Sequence, residues 1–221
     1  MALKIKIKEL NECDFINYKK PSMFIVFPYC SFKCEKECGK KICQNSSLIK
    51  EPIISIDIKT IVNKYINNPL TQAIVCGGLE PFDSWEELSN LIVYLRMVTK
   101  DDIVIYTGYR EEEISSQKIR FLENAENIIV KFGRFIPDQK SHYDDILGIK
   151  LASDNQYGKK MVNKLKIRQV PNTDNIKQAV KDNEGYCPCR ILKNENTKCM
   201  CKEFREMEEG VCHCGLYEKI K

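Results

Sequence analysis

The chain has 221 residues, 43% hydrophobic and 30% charged, which suits one domain with an appendage or two small domains of an ordinary globular protein. Its 35 basic and 31 acidic side chains are interspersed and leave a net charge of +4, so nucleic acid is not expected as the main partner. No apolar run approaches the ~18 residues of a membrane span, and no membrane partner is expected. The opening stretch, Met1 to Lys8, alternates apolar and basic residues; it lacks the apolar core of a signal peptide and reads as a strand. A cytoplasmic protein is the expectation.

In chain order, residues 3–7 and 22–27 read as strands. A cysteine loop follows, with Cys30, Cys34, Cys38 and Cys43 inside fourteen residues. Ile53 to Ile56 is a short β-branched run, and Asp57 is placed to cap a helix ending near Asn67. Ala73 to Cys76 is an apolar strand closed by Gly77-Gly78. Ser84 opens an amphipathic helix with Leu88, Leu91, Ile92 and Leu95 on one face and Glu86-Glu87 in its first turn. Asp102 to Tyr106 is a strand ending at Thr107-Gly108. A helix runs from Glu111 to about Leu122, a strand from Asn127 to Phe132, and another short strand over 148–151. Strands alternating with helices and ending in glycine indicate a parallel α/β sheet. Sites in such sheets lie at the carboxyl edge of the strands. The cysteine loop, the Gly77–Pro81 turn and the Thr107–Tyr109 turn all fall there.

From about Tyr157 lysine and asparagine rise, and a domain boundary is placed near 157–172. Asp174 to about Asp182 reads as a short helix. Six of the twelve cysteines then lie in 187–214. Structural disulfides are not expected in a reducing compartment, so cysteines grouped in this way read as metal or redox sites. Thiolates suit iron–sulfur clusters and zinc alike. Cys30-x3-Cys34 is a poor zinc pair, because structural zinc sites use Cys-x2-Cys-like pairs. The three Cys-x-Cys pairs of the tail are likewise too close-set for a zinc ribbon.

Cys30-x3-Cys34 resembles the opening of the radical S-adenosylmethionine signature, and Gly77-Gly78-Leu79-Glu80-Pro81 resembles that family's glycine-glycine-acid-proline element. Cys43-Gln44-Asn45 and Thr107-Gly108-Tyr109 are similar to elements of the activating enzyme of anaerobic (class III) ribonucleotide reductase. The likeness covers about residues 1–156. It departs from the family in the eight residues between Cys34 and Cys43, in Gln44 where the family has an aromatic, and in the extra Leu79. It implies a small, partial (βα) barrel-like parallel sheet. Cys30, Cys34 and Cys43 would hold a [4Fe–4S] cluster with one open iron, Cys38 being the other candidate for third ligand. Gly77, Gly78, Glu80 and Thr107 would bind S-adenosylmethionine. The activity implied is reductive cleavage of S-adenosylmethionine to a 5′-deoxyadenosyl radical that installs a glycyl radical on the reductase. The partners implied are the large subunit of that reductase and ferredoxin or flavodoxin as electron donor.

Gly185-Tyr-Cys-Pro-Cys-Arg190, Lys202-Glu-Phe204 and Cys212-His-Cys-Gly-Leu-Tyr217 resemble the catalytic subunit of ferredoxin:thioredoxin reductase over roughly 172–221. That likeness implies a small helical, loop-rich domain. In it Cys187, Cys199, Cys201 and Cys212 bind a second [4Fe–4S] cluster, and Cys189 and Cys214 form a redox dithiol. Cys189 would be the attacking thiol, Cys214 the cluster-side one and a thioredoxin- or glutaredoxin-like protein the partner. His213 is open to two readings, proton carrier or structural residue. Cys13 and Cys76 are expected to be inert buried thiols, His142 a surface residue and Trp85 a packing residue. Asp154, Asn155 and Gln156 either close the sulfonium site or form a plain turn. The expected organisation is therefore 1–156 activase-like, 157–171 linker and 172–221 disulfide-reductase-like. A disulfide reductase with a partner-binding N-terminal part and a zinc-binding adaptor stay open beside it.

Overall fold

Short β-branched runs bounded by glycine, proline and charged residues become strands in the computed structural model, which describes residues 3–162, 166–207 and 209–220. The chain forms two compact units, Met1–Val162 and Asn163–Lys221.

In the first unit β1 (Lys4–Ile7), β2 (Glu9–Asp14) and β3 (Ser22–Phe27) precede α1 (Lys33–Cys38). Then come β4 (Ile54–Asp57), α2 (Ile58–Ile66), β5 (Ala73–Gly78), α3 (Trp85–Arg96) and β6 (Asp102–Tyr106). The last elements are α4 (Ser116–Asn124), β7 (Ile128–Phe132), β8 (His142–Asp144), β9 (Ile149–Leu151) and β10 (Tyr157–Met161). Among the described residues the main sheet has the order β10-β7-β6-β5-β3-β2. Its four inner strands are parallel, while β2 and β10 pair antiparallel at the edges. The sheet is thus mixed, where a parallel one was expected: a short connection joins β2 to β3, and the segment between β7 and β10 forms the β8–β9 hairpin instead of a helical crossover, so both edge strands return antiparallel.

The inner strands are buried on both faces, as parallel strands must be. One face carries Ile25, Ile74, Ile103, Ile105 and Val130 against residues of α2 and α3 and Leu122 of α4. Leu88, Leu91, Ile92 and Leu95 are all buried on α3, as their spacing requires. The opposite face packs Val75, Val104 and Ile129 with Tyr18, Leu147 and Leu151. The cap of α2 is the expected one, with Asp57 Oδ1 accepting from Lys59 N at 2.9 Å.

Several elements differ from the sequence expectation. The helix expected over 111–122 is split: a 3-10 turn covers Glu111–Glu113 and Ile114 is extended before α4. Glu113 is committed elsewhere, accepting from Arg110 N and Arg134 Nη2. Gly77-Gly78 ends β5 instead of forming a turn beyond it. The strand over 149–151 belongs to a hairpin with β8, not to the main sheet. Residues 157–161, expected to begin a linker, are the edge strand β10, drawn in by pairing Tyr157–Met161 against Phe132–Ile128. Cys13 is half-buried, on edge strand β2, rather than buried. His142 is also half-buried, its Nδ1 enclosed without a hydrogen-bond partner, rather than a surface residue.

The second unit contains β11 (Lys166–Gln169), α5 (Asp174–Asp182), α6 (Lys202–Glu206), β12 (Gly210–Val211) and β13 (Tyr217–Ile220). Among the described residues the strands form an antiparallel sheet in the order β11-β13-β12, an element that the helical, loop-rich expectation lacked. Part of the expected linker is therefore β11. The core of this unit is built of sulfur as much as hydrocarbon: Cys187, Cys201 and Cys212 are buried with Phe204 and Leu216.

Candidate metal centre

Because β3, β5, β6 and β7 run parallel, their C-terminal ends share one edge, and the loops leaving them enclose a cavity of about 710 Å³. Cys30, Cys34 and Cys43 line it together with Gln44, Asn45, Gly78, Leu79, Glu80 and Thr107. Cys38, at the end of α1, is not part of its wall. Cys30 follows β3; Phe32 then takes left-handed backbone, φ 54°, and starts α1, a costly conformation for a bulky residue. This reversal lets Phe32 N–H donate to Cys30 Sγ at 3.2 Å. Burial raises the Cys30 thiol to about 12, against the hydrogen bond from Phe32, with Glu80, Asp83 and Cys34 adding to the rise. Cys34 is raised first by burial and then by Cys43. Cys30 and Cys34, two thiols that resist ionising side by side, mark a place where positive charge would be welcome.

The cysteine loop is tied to the rest of the edge. Asn45 Nδ2 donates to Gly78 O at 2.8 Å, and Ser31 N donates to Asp83 Oδ2 at 2.5 Å. Gly78 is required where it stands: its φ is +91° and an added Cβ would lie 2.5 Å from Val26 Cγ1. At Gly77 a Cβ would meet Phe24 Cζ at 2.9 Å.

Glu80 is the hub of the edge. Its Oε1 accepts from Thr107 Oγ1 at 2.8 Å and Phe82 N at 3.1 Å, and its Oε2 from Gly108 N at 2.9 Å. Three donors favour the carboxylate, yet burial outweighs them and lifts Glu80 to about 7. Lys131, buried on β7, also lines the cavity. Its Nζ donates to Gly133 O at 2.8 Å, and burial lowers it to about 8 against the pull of Glu80.

Lys131 and Arg134 escape sequence reasoning. The signal for Lys131 is a lysine inside the otherwise apolar strand Ile128–Phe132. Arg134, with 4% exposure, also lines the cavity, and nothing in the sequence near Gly133 marks it. Gln156 is buried on the cavity wall and Nε2 donates to Gly133 O at 3.4 Å. Asp154 and Asn155 do not line the cavity. Trp85 packs, stacked 5.6 Å from Phe82 and edge-on to Phe121 at 5.5 Å.

In the second unit Cys187, Cys201 and Cys212 are buried, with Cys199 and Cys214 packed against them. Cys189 is exposed. Cys212 Sγ lies 3.4 Å from Cys214 Sγ and accepts from Tyr217 N at 3.1 Å. Cys199 is raised by burial and by Cys187, Cys212 and Cys201. Cys214 is raised to about 12, first by burial, with Cys212 and Cys187 adding. His213 is exposed between two of the thiols. The twelve cysteines are all free thiols among the described residues. No three His, Cys, Asp or Glu side chains converge on a single ion among the described residues.

No described helix is long and apolar enough to cross a membrane. A family model described as a 4Fe-4S single cluster domain matches residues 22–157, a stretch that includes Cys30, Cys34, Cys38, Cys43 and Cys76. No curated protein and no solved structure matches the chain significantly.

Proposed function

Because the chain belongs to the family of 4Fe-4S single cluster domains, and so carries one [4Fe–4S] cluster within residues 22–157, we propose that its first unit is a radical S-adenosylmethionine activase. The observation that carries the proposal is the shared cavity. Cys30, Cys34 and Cys43 meet Gly78, Glu80 and Thr107 on one wall, although these residues come from three separate strand ends. The donor set fits the cluster, since a cube takes one thiolate per iron and seats its thiolates farther apart than ligands on one ion. Held by Cys30, Cys34 and Cys43, the cluster would have one iron without a thiolate, available to the amino and carboxylate groups of S-adenosylmethionine. When bound, the cluster would supply one electron to the sulfonium, releasing methionine and a 5′-deoxyadenosyl radical that takes a hydrogen atom from a glycine of an anaerobic ribonucleotide reductase.

The protein's own work is positioning and exclusion of water. Gly78 lets the end of β5 close against Val26 of β3 where the cavity wall begins. Asn45 ties the cysteine loop to the Gly78 carbonyl, and Glu80 locks the β5 and β6 loops together through Thr107 and Gly108. Glu80 thereby offers a buried acceptor to an ammonium group.

The second unit is read as an iron–sulfur disulfide reductase. Its length, 59 residues from Asn163 to Lys221, is below the roughly 70–80 at which a hydrocarbon core alone suffices. Its core is largely thiol, which supports a cluster on Cys187, Cys199, Cys201 and Cys212 as its staple. Cys189 would attack a disulfide partner and Cys214 would resolve it, with electrons from ferredoxin or flavodoxin.

The test is dithionite-dependent release of 5′-deoxyadenosine by anaerobically purified protein, in wild type and in Cys38→Ala and Cys43→Ala. Release by wild type and Cys38→Ala but not by Cys43→Ala is expected. No release by wild type would overturn the activase reading, and activity kept in Cys43→Ala but lost in Cys38→Ala would overturn the ligand assignment.

A further inference from the structure

Arg134 follows the end of β7 and is buried to 4% exposure, an expensive place for a guanidinium unless it is paired. Two carboxylates pair it. Nη2 donates to Glu113 Oε1 at 2.6 Å, and Nε faces Glu37 Oε2 at 3.1 Å as an ion pair without hydrogen-bond alignment. Nη1 is enclosed with no hydrogen-bond partner. Glu37 stands on α1 one turn beyond Cys34, and residues three apart share a helix face. The guanidinium that grips Glu37 therefore runs beside Cys34, and both line the cavity. Their charges interact: Arg134 is held above its ordinary range first by Glu113, then by Glu37 and Cys34. The surrounding charges are Arg110, paired to Glu37, and Lys33, 3.8 Å from Glu113 and 4.0 Å over the Tyr109 ring.

We infer that Arg134 positions the cluster loop and tunes its cluster: it anchors α1 through Glu37 and holds the free Nη1 charge against the Cys34 side of the site, making the cluster easier to reduce. Resting on the activase reading for its purpose, this supplies what that reading needs, a cluster able to accept an electron at the cysteine loop. A positive charge in a low-dielectric site stabilises the more negative, reduced cluster, and groups just beyond the ligands are the established lever on potential.

The experiment is an anaerobic potentiometric titration, followed by electron paramagnetic resonance, of full-length protein without S-adenosylmethionine. The signal followed is the one abolished in Cys34→Ser, which separates it from any signal of the second unit. In Arg134→Gln the equilibrium constant for one-electron reduction should fall at least tenfold, a 59 mV shift to more negative potential. Arg134→Lys, which keeps the charge without the fork, should recover most of the shift. Glu37→Gln removes a negative charge and should move the potential the opposite way. An unchanged potential in Arg134→Gln overturns the inference. So does a shift of the same sign in Arg134→Gln and Glu37→Gln, the mark of a purely structural clamp. Should Arg134→Gln bind no cluster, the sign in Glu37→Gln decides alone. The readout needs no turnover, so failure of the 5′-deoxyadenosine assay leaves it intact.

Discussion

Glu80→Gln isolates the energetics of the buried acid. In the folded chain Glu80 is raised from 4.5 to about 7, chiefly by burial. A carboxyl whose folded value lies above its unfolded value holds more protons folded than unfolded in that window. Its contribution to stability is complete below about 4.5 and is lost as pH rises through about 7. Linkage puts the loss between pH 5 and pH 8 at about 2–3 kcal/mol. Glutamine copies the neutral acid without titrating. Its amide oxygen serves Phe82 N and Thr107 Oγ1, while its NH2 opposes Gly108 N, a constant penalty of about 1–3 kcal/mol. The assay is urea unfolding at pH 5, 6, 7 and 8, followed by fluorescence of Trp85. This sole tryptophan stacks on Phe82, whose N–H is bound to Glu80, so it reports the first unit alone. Wild type should lose about 2–3 kcal/mol relative to the variant from pH 5 to pH 8. Parallel pH profiles would refute the account of Glu80 as a desolvated acid.

Lys131→Met should show the converse. Lys131 is lowered to about 8 by burial, so wild type should gain about 2–3 kcal/mol over the variant as pH rises from 8 to 10.5, in the same fluorescence assay. Gly78→Ala forces a side chain onto φ +91° and into Val26 and should cost about 1–3 kcal/mol, read as a lower urea midpoint. Cys212→Ala removes a buried thiol that accepts from Tyr217 N. It should expose the β13 amides to hydrogen exchange while β5 and β6 keep their protection; unchanged β13 protection would show that the second unit does not depend on its thiol core.

Elements whose burial pattern was one-sided or complete could be read from sequence. The face of α3, the Asp57 cap of α2 and the inner strands come directly from local spacing. What escaped was set by tertiary pairing. β10 reads as polar, Tyr157-Gly-Lys-Lys-Met161, because an edge strand shows one face to water, so it resembled a linker. The expected helix is interrupted at Ile114, which is extended before α4, while the Glu113 carboxylate caps the preceding turn at Arg110 N and pairs with Arg134. In the cavity, the cysteines, Gly78, Glu80 and Thr107 were visible through motif chemistry. Lys131 and Arg134 were not, since they reach the site only through the pairing of β6 with β7.

The cavity wall has a consequence for biosynthesis. Cys30, Cys34 and Cys43 are local in sequence, but the residues that enclose them extend to Gln156. At ordinary elongation rates the ribosome needs on the order of ten seconds to make the intervening stretch of about a hundred residues. During that interval the thiols hang as an open loop, unsheltered from oxidants and adventitious ions. Iron and sulfide loading that waits for β7 and the 149–156 segment would meet a formed socket; earlier loading would meet a floppy peptide. Slowing synthesis downstream of Cys43 under air should therefore lower the iron content of the finished chain, whereas the same slowing under anaerobic growth should not.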